Sequence, residues 1–199
     1  SGADAYIPPQ HPAVKYWQEV NQQFDLYEPI VVLIDTKKPL GIFNLQTLSL
    51  IKWYTDQLAK TDGIRPDEIA SVFTEKTIRA TDDGIVTEPV IASLPQTEVE
   101  LAALRERVMG FPLHLGTLVA RDGSAAVIAA RLTDKADGGD VYNALLALAD
   151  RAPQHGEQIH VAGQPVASEY LEEYLSKDST RMAIAVVLFI APVLLFSYR

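Results

Sequence analysis

The chain has no cysteine. Disulfides, thiolate metal sites and cysteine nucleophiles are therefore excluded, and neither an oxidising nor a reducing compartment is favoured. Positive charge is scarce: 17 Lys and Arg stand against 26 Asp and Glu, a net charge of −9. Phosphate binding needs clustered Lys and Arg, so the balance argues against nucleic acid. It argues equally against docking on an anionic lipid surface. The sequence also lacks a Gly-x-Ser-x-Gly nucleophile elbow, a phosphate-binding loop and a dinucleotide fingerprint. Ser1-Gly2-Ala3-Asp4 has neither the basic start nor the apolar stretch of a secretory leader. An abrupt start, together with an end just past an apolar run, is what an excised piece of a longer membrane protein is expected to show.

The side chains that could carry chemistry are dispersed. His155 and His160 are five apart, which is neither a helical metal pair nor a zinc spacing, and His11 and His114 stand alone. All four are expected at the surface. Asp82-Asp83-Gly84 and Asp137-Gly138-Gly139-Asp140 do not continue into the alternating oxygen ligands of a calcium loop. A turn and a helix cap account for them. The carboxylate pairs Glu172-Glu173 and Glu98/Glu100 fall on helix exteriors, where a solvated face is expected. Catalytic, cofactor-binding and metal residues are therefore assigned to none, and the chain is expected not to be an enzyme.

With 48% hydrophobic and 22% charged residues, most of the chain is expected to fold around one good core or two small ones. Three prolines between Tyr6 and Pro12 exclude regular structure. Ala13–Phe24 reads as a short helix with Val14, Trp17, Val20 and Phe24 on one face. Ile30–Ile34 is a continuous β-branched run, expected as a strand covered on both faces. Asn44 caps a helix running to about Lys60, with Leu45, Leu48, Ile51 and Leu58 as its buried stripe. Ala70–Thr74 reads as a second strand, and 75–95 as an extended excursion. Thr97 and Glu100 form a capping box before a helix that ends at Gly110.

Leu115–Ala120 and Ala125–Leu132 flank Asp122-Gly123, the strongest short-range hairpin signal. A helix opens after Asp137, burying Val141, Leu145 and Leu148, and Ile159–Ala162 is a last strand. Trp17, Trp53 and most tyrosines fall at stripe positions and are expected in the core. The order is strand–helix–strand twice, with a helix and an extra hairpin strand between. The expected fold class is α+β: a ferredoxin-like βαβ–βαβ sheet with helices on one face.

The longest apolar stretch, Met182–Phe196, would be apolar on every side of a helix. Its Leu, Ile, Val and Phe residues favour bilayer insertion by about 3 to 6 kcal/mol, unopposed by an internal charge. Pro192 is tolerable in a spanning helix. Tyr174 and Tyr198 lie near the two ends, where aromatic rings favour the membrane interface, and Lys177, Asp178 and Arg181 mark its polar boundary. Pro165 suits a first helical turn, and no breaker separates it from the run. One rod over 165–199 would be about 50 Å long.

Several segments carry a resemblance to a known family. Tyr6-Ile7-Pro8-Pro9, Glu28-Pro29-Ile30-Val31-Val32, Thr81-Asp82-Asp83-Gly84 with Glu88-Pro89-Val90, Leu118–Gly123, and Val161-Ala162-Gly163-Gln164-Pro165-Val166 resemble, in order and spacing, an extracytoplasmic porter domain. The family is the resistance–nodulation–division (RND) superfamily, of the MMPL-like type. Asp25 stands where a glycine is more typical. The resemblance implies a porter domain over 1–164, a connecting helix over 165–181 and the parent's second transmembrane helix over 182–199. It implies a bacterial inner-membrane exporter of hydrophobic or lipid-like cargo, driven by protons, with residues 1–181 on the periplasmic side. Its partners would be the rest of the transporter, membrane lipid around 182–199 and the cargo itself, with no nucleic acid; homo-oligomerisation stays open. No cofactor is implied. The proton-carrying residues would lie in membrane helices outside this sequence. Two rivals share the acidic α/β character: a ligand-sensing domain of a membrane receptor, and a soluble enzyme with a very apolar last helix.

Overall fold

The computed structural model describes residues 8, 10–24, 29–81 and 84–163, with isolated positions between 179 and 197. The first element is helix α1 (Pro12–Phe24), whose Val14 is buried. Four strands then make one antiparallel sheet: β1 (Ile30–Asp35), β2 (Ile64–Ala70), β5 (Ala125–Leu132) and β6 (Gln158–Gly163), in the order β2-β5-β1-β6. Between them run α2 (Leu45–Leu58), the separate hairpin β3 (Lys76–Thr81) and β4 (Gly84–Pro89), α3 (Glu98–Met109) and α4 (Gly138–Arg151). The two strands flanking α2 are separated by β5, and the two flanking α4 are separated by β1. The halves of the chain are thus interleaved through the sheet, and neither can complete it alone. The architecture is α+β.

Strand β1 is the axis. Ile30, Val32 and Ile34 point to one face beside Ala130, Ile128 and Ala126 of β5, and all six are buried. Helices α2 and α4 cover this face, and the Tyr54 hydroxyl of α2 donates to the Leu145 carbonyl of α4 at 2.6 Å. Each fully buried Ile, Leu or Val here contributes roughly 1.5 to 3 kcal/mol over an exposed one. The expected two-sided covering of β1 is not found. Val31 and Leu33 are only half-buried, because among the described residues helices α2 and α4 sit on the other face of the sheet.

The caps follow side-chain chemistry. Asn44 accepts from the Thr47 amide at 2.9 Å, Thr97 from the Glu100 amide at 3.2 Å, and Asp137 from the Gly139 and Asp140 amides. Each satisfies a donor that the first helical turn leaves unpaired. Glu100 reaches back to the Gln96 amide rather than to that of Thr97, one residue beyond the expected box.

Three expectations are corrected. The second strand is Ile64–Ala70, not Ala70–Thr74. Only Ile64 and Ile69 of it are buried, and Pro66 and Asp67 face solvent on an edge strand with an irregular register. Thr74 instead closes a turn by donating to the Ile69 carbonyl at 2.6 Å. The segment 115–120 does not form a regular strand. It makes isolated bridges, Leu115 to Val119 and Val119 to Ala126, because turns from Pro112 to Gly116 use its amides locally. In α2, Leu45 is 52% exposed and Tyr54 takes its expected place in the core. The excursion over 75–95 holds the β3–β4 hairpin, with Ile78 and Val86 exposed on it.

Among the described residues, no helix is long and apolar enough to cross a membrane. Most of the 165–199 rod, with Tyr174, Tyr198, Glu172, Glu173, Lys177 and Asp178, lies outside the described residues. Met182, Val186, Val187 and Ile190 are helical and more than half exposed.

Candidate functional site

A cleft of about 870 Å³ lies between α3 and the turn that follows β1. Two glycines hold the turn on one side of it. Gly41 has φ +60, and a Cβ there would sit 2.0 Å from the Gly123 carbonyl oxygen. Only glycine allows this backbone conformation and approach together. The contact is bonded, since the Ile42 amide donates to the Gly123 carbonyl at 2.9 Å and the Thr36 amide to that of Ser124 at 3.0 Å. The Asp122–Gly123 turn is itself held by the Ser124 hydroxyl and amide, both donating to Asp122 Oδ1. These two bonds hold the Asp122 carboxyl below the usual carboxylate range. Phe43 and Met109 pack where a Gly123 side chain would otherwise lie.

Helix α3 forms the opposite wall. It is seated by Leu104 and Val108, and Arg107 Nη2 donates to the Val90 carbonyl at 3.2 Å. The rest of the helix is open: Val99 is 79% exposed and Leu101 half-buried. The cleft is lined by Leu40, Phe43, Leu101, Ala102 and Met109, with Glu98, Arg105 and Glu106 as its charged members. Shallower grooves of about 400 and 480 Å³ flank α3 elsewhere. An apolar concavity of this size with few polar groups is the general form of a small-molecule site.

Beside the same turn lies a buried ionic knot. The Glu157 side chain has no solvent exposure. Its Oε1 accepts from Lys38 Nζ at 2.6 Å and from Thr47 Oγ1 at 2.6 Å, and its Oε2 from the His155 amide at 2.5 Å. Burial alone would push this carboxyl up, but the bonds from Lys38, Thr47 and the backbone outweigh it and hold the group at about 2. The knot joins the β1–α2 turn, the first turn of α2 and the entry to β6. Lys38 and Glu157 are 119 residues apart, and no local pattern marks either.

The four histidines do not converge. His11 accepts from the Ala13 amide at the start of α1, and His155 and His160 are exposed. His114 corrects the expectation of a surface position: it is 5% exposed, stacks on Phe111 and has no hydrogen-bond partner for Nε2 among the described residues. Among the described residues, no group of His, Asp and Glu is placed to hold a metal. Glu98 and Glu100 are exposed on α3 as expected. Trp53 is half-buried against the fully buried Tyr54, and the Trp17 side chain lies outside the described residues.

No curated protein matches the chain. The model of the MMPL family matches residues 7–199. That span takes in the interleaved sheet, both walls of the cleft and the apolar run. The chain belongs to the MMPL family, and is a domain of an RND-type transporter.

Proposed function

We propose that the chain is the extracytoplasmic porter domain of a proton-driven exporter of hydrophobic or lipid-like cargo. The observation that carries the reading is the family match over residues 7–199. Two features support it. The order β2-β5-β1-β6, with two interleaved strand–helix–strand units, supports a ferredoxin-like porter sheet. The four exposed apolar positions of the tail suit lipid better than a packed core. In this reading residues 1–164 are the porter domain, 165–181 a connecting helix and 182–199 a transmembrane helix of a bacterial inner membrane, with residues 1–181 on the periplasmic side. The domain works by binding and moving rather than by catalysis, and the cleft beside α3 contacts the apolar cargo.

The whole transporter in proteoliposomes tests this. An imposed proton gradient should drive accumulation of an apolar fluorescent cargo, and inserting two glycines near Asp178 should reduce it while the domain stays folded. Transport indifferent to the gradient would overturn the proton coupling. Unchanged transport after the insertion would overturn the mechanical role of the connecting helix.

A further inference from the structure

We infer that the cleft beside α3 takes a single-chain amphiphile with an anionic head, and that Arg105 selects the head. The inference rests on the cargo reading above and specifies its chemical class. Residues four apart on a helix are neighbours on one face, so Arg105 lies one turn from Leu101 and one turn from Met109. The guanidinium therefore interrupts an apolar stripe midway along the cleft wall. Arg65, Arg107, Arg131 and Arg151 each donate to a carboxylate or a carbonyl. Arg105 has no such partner among the described residues.

The cleft's two carboxylates do not cancel it. Glu98 is in the first turn of α3, where a negative charge complements the helix N-terminus, and about 10 Å along the axis from Arg105. Glu106 borders both the cleft and the neighbouring groove, so it stands on the crest between them. Arg105 borders the cleft and neither of the two grooves. The lining thus offers one central cation with apolar surface on both sides. A planar guanidinium pairs bidentately with carboxylate, sulfonate or phosphate oxygens. The apolar chain of the ligand would cover Leu40, Leu101 and Met109, and a volume of about 870 Å³ accommodates it.

The test uses the 199-residue chain in phosphatidylcholine nanodiscs. Three diazirine-bearing hexadecyl probes differ only in the head: sulfonate, alcohol and trimethylammonium. Cross-linked positions are mapped by mass spectrometry. The sulfonate should label 40–43 and 98–110 about five- to tenfold more than the alcohol. Arg105→Gln should bring the two to equal labelling. Ala102→Trp, at an exposed position that projects bulk into the cleft, should suppress labelling by all three. Circular dichroism and the melting temperature should be unchanged in both variants. If the alcohol or the ammonium labels the wild-type cleft as well as the sulfonate does, or Arg105→Gln changes nothing, the anionic head is overturned and the apolar cleft stands. If no probe labels these segments, the cleft reading falls with it.

Discussion

Replacing Glu157 by Gln removes the charge of the buried knot at nearly constant shape. The wild-type carboxyl lies at about 2 in the folded chain against an ordinary 4.5. A depressed acid stabilises the fold above its unfolded value and loses that contribution as pH falls. The contribution is therefore fully present above about pH 4.5 and is lost as pH falls towards 2. The displacement corresponds to about 3 kcal/mol. Hydrogen bonding gives the same order. Thr47, wholly buried, and Lys38 would keep only a neutral amide oxygen in place of a charged acceptor, and the His155 amide would face an amide NH₂ or lose its partner. For a chain of this size each kcal/mol moves the melting temperature by about 2 to 4 °C, so Glu157→Gln should melt about 6 to 12 °C lower at pH 7. The gap should narrow as pH falls below about 4.5, because only the wild type then loses the ion. Thermal unfolding by circular dichroism between pH 2.5 and 7 reads both quantities. Equal melting at pH 7, or a gap that does not change with pH, would refute the assignment of the knot.

Gly41→Ala should destabilise the chain by more than about 2 kcal/mol, since the new methyl meets the Gly123 carbonyl at 2.0 Å and the backbone has φ +60; urea unfolding measures it, and a loss under about 1 kcal/mol would contradict the close approach. Leu48→Ala should cost about 2 to 5 kcal/mol, whereas Leu45→Ala should stay within about 0.5 kcal/mol, because the first is fully buried and the second half-exposed. Equal costs in the same unfolding assay would place the helix in the other rotation.

Much of the framework was legible along the chain. The three helix caps at Asn44, Thr97 and Asp137 are local events, in which a side chain satisfies an amide two or three residues ahead. The buried stripe of α4 and the strand after it follow from spacing alone. Errors arose where partners decide. The apolar run at Ile30 says that the strand is buried but not how many faces are covered, and the helices settled that on one side. Leu45 fits a helical stripe, yet α2 is rotated so that Leu48, Ile51 and Tyr54 meet the sheet. Ile64 and Ile69 are too far apart to announce a strand when Pro66 and Asp67 intervene; pairing with β5 makes them one.

The cleft was hidden for the same reason. Leu40, Phe43, Arg105 and Met109 come from two distant segments, and each alone resembles an ordinary turn or helix residue. Glu157 has no signature at all, since its partners Lys38 and Thr47 are more than 100 residues away. The sequence by itself determined the acidic, cysteine-free α+β character, the helix caps and the family to which the chain belongs, because these depend on composition, short spacing and ordered motifs. The tertiary structure alone decided which sheet face α2 and α4 cover, where the ionic knot forms and which side chains surround the cleft, because burial and charge pairing depend on residues brought together only when the two halves of the chain interleave.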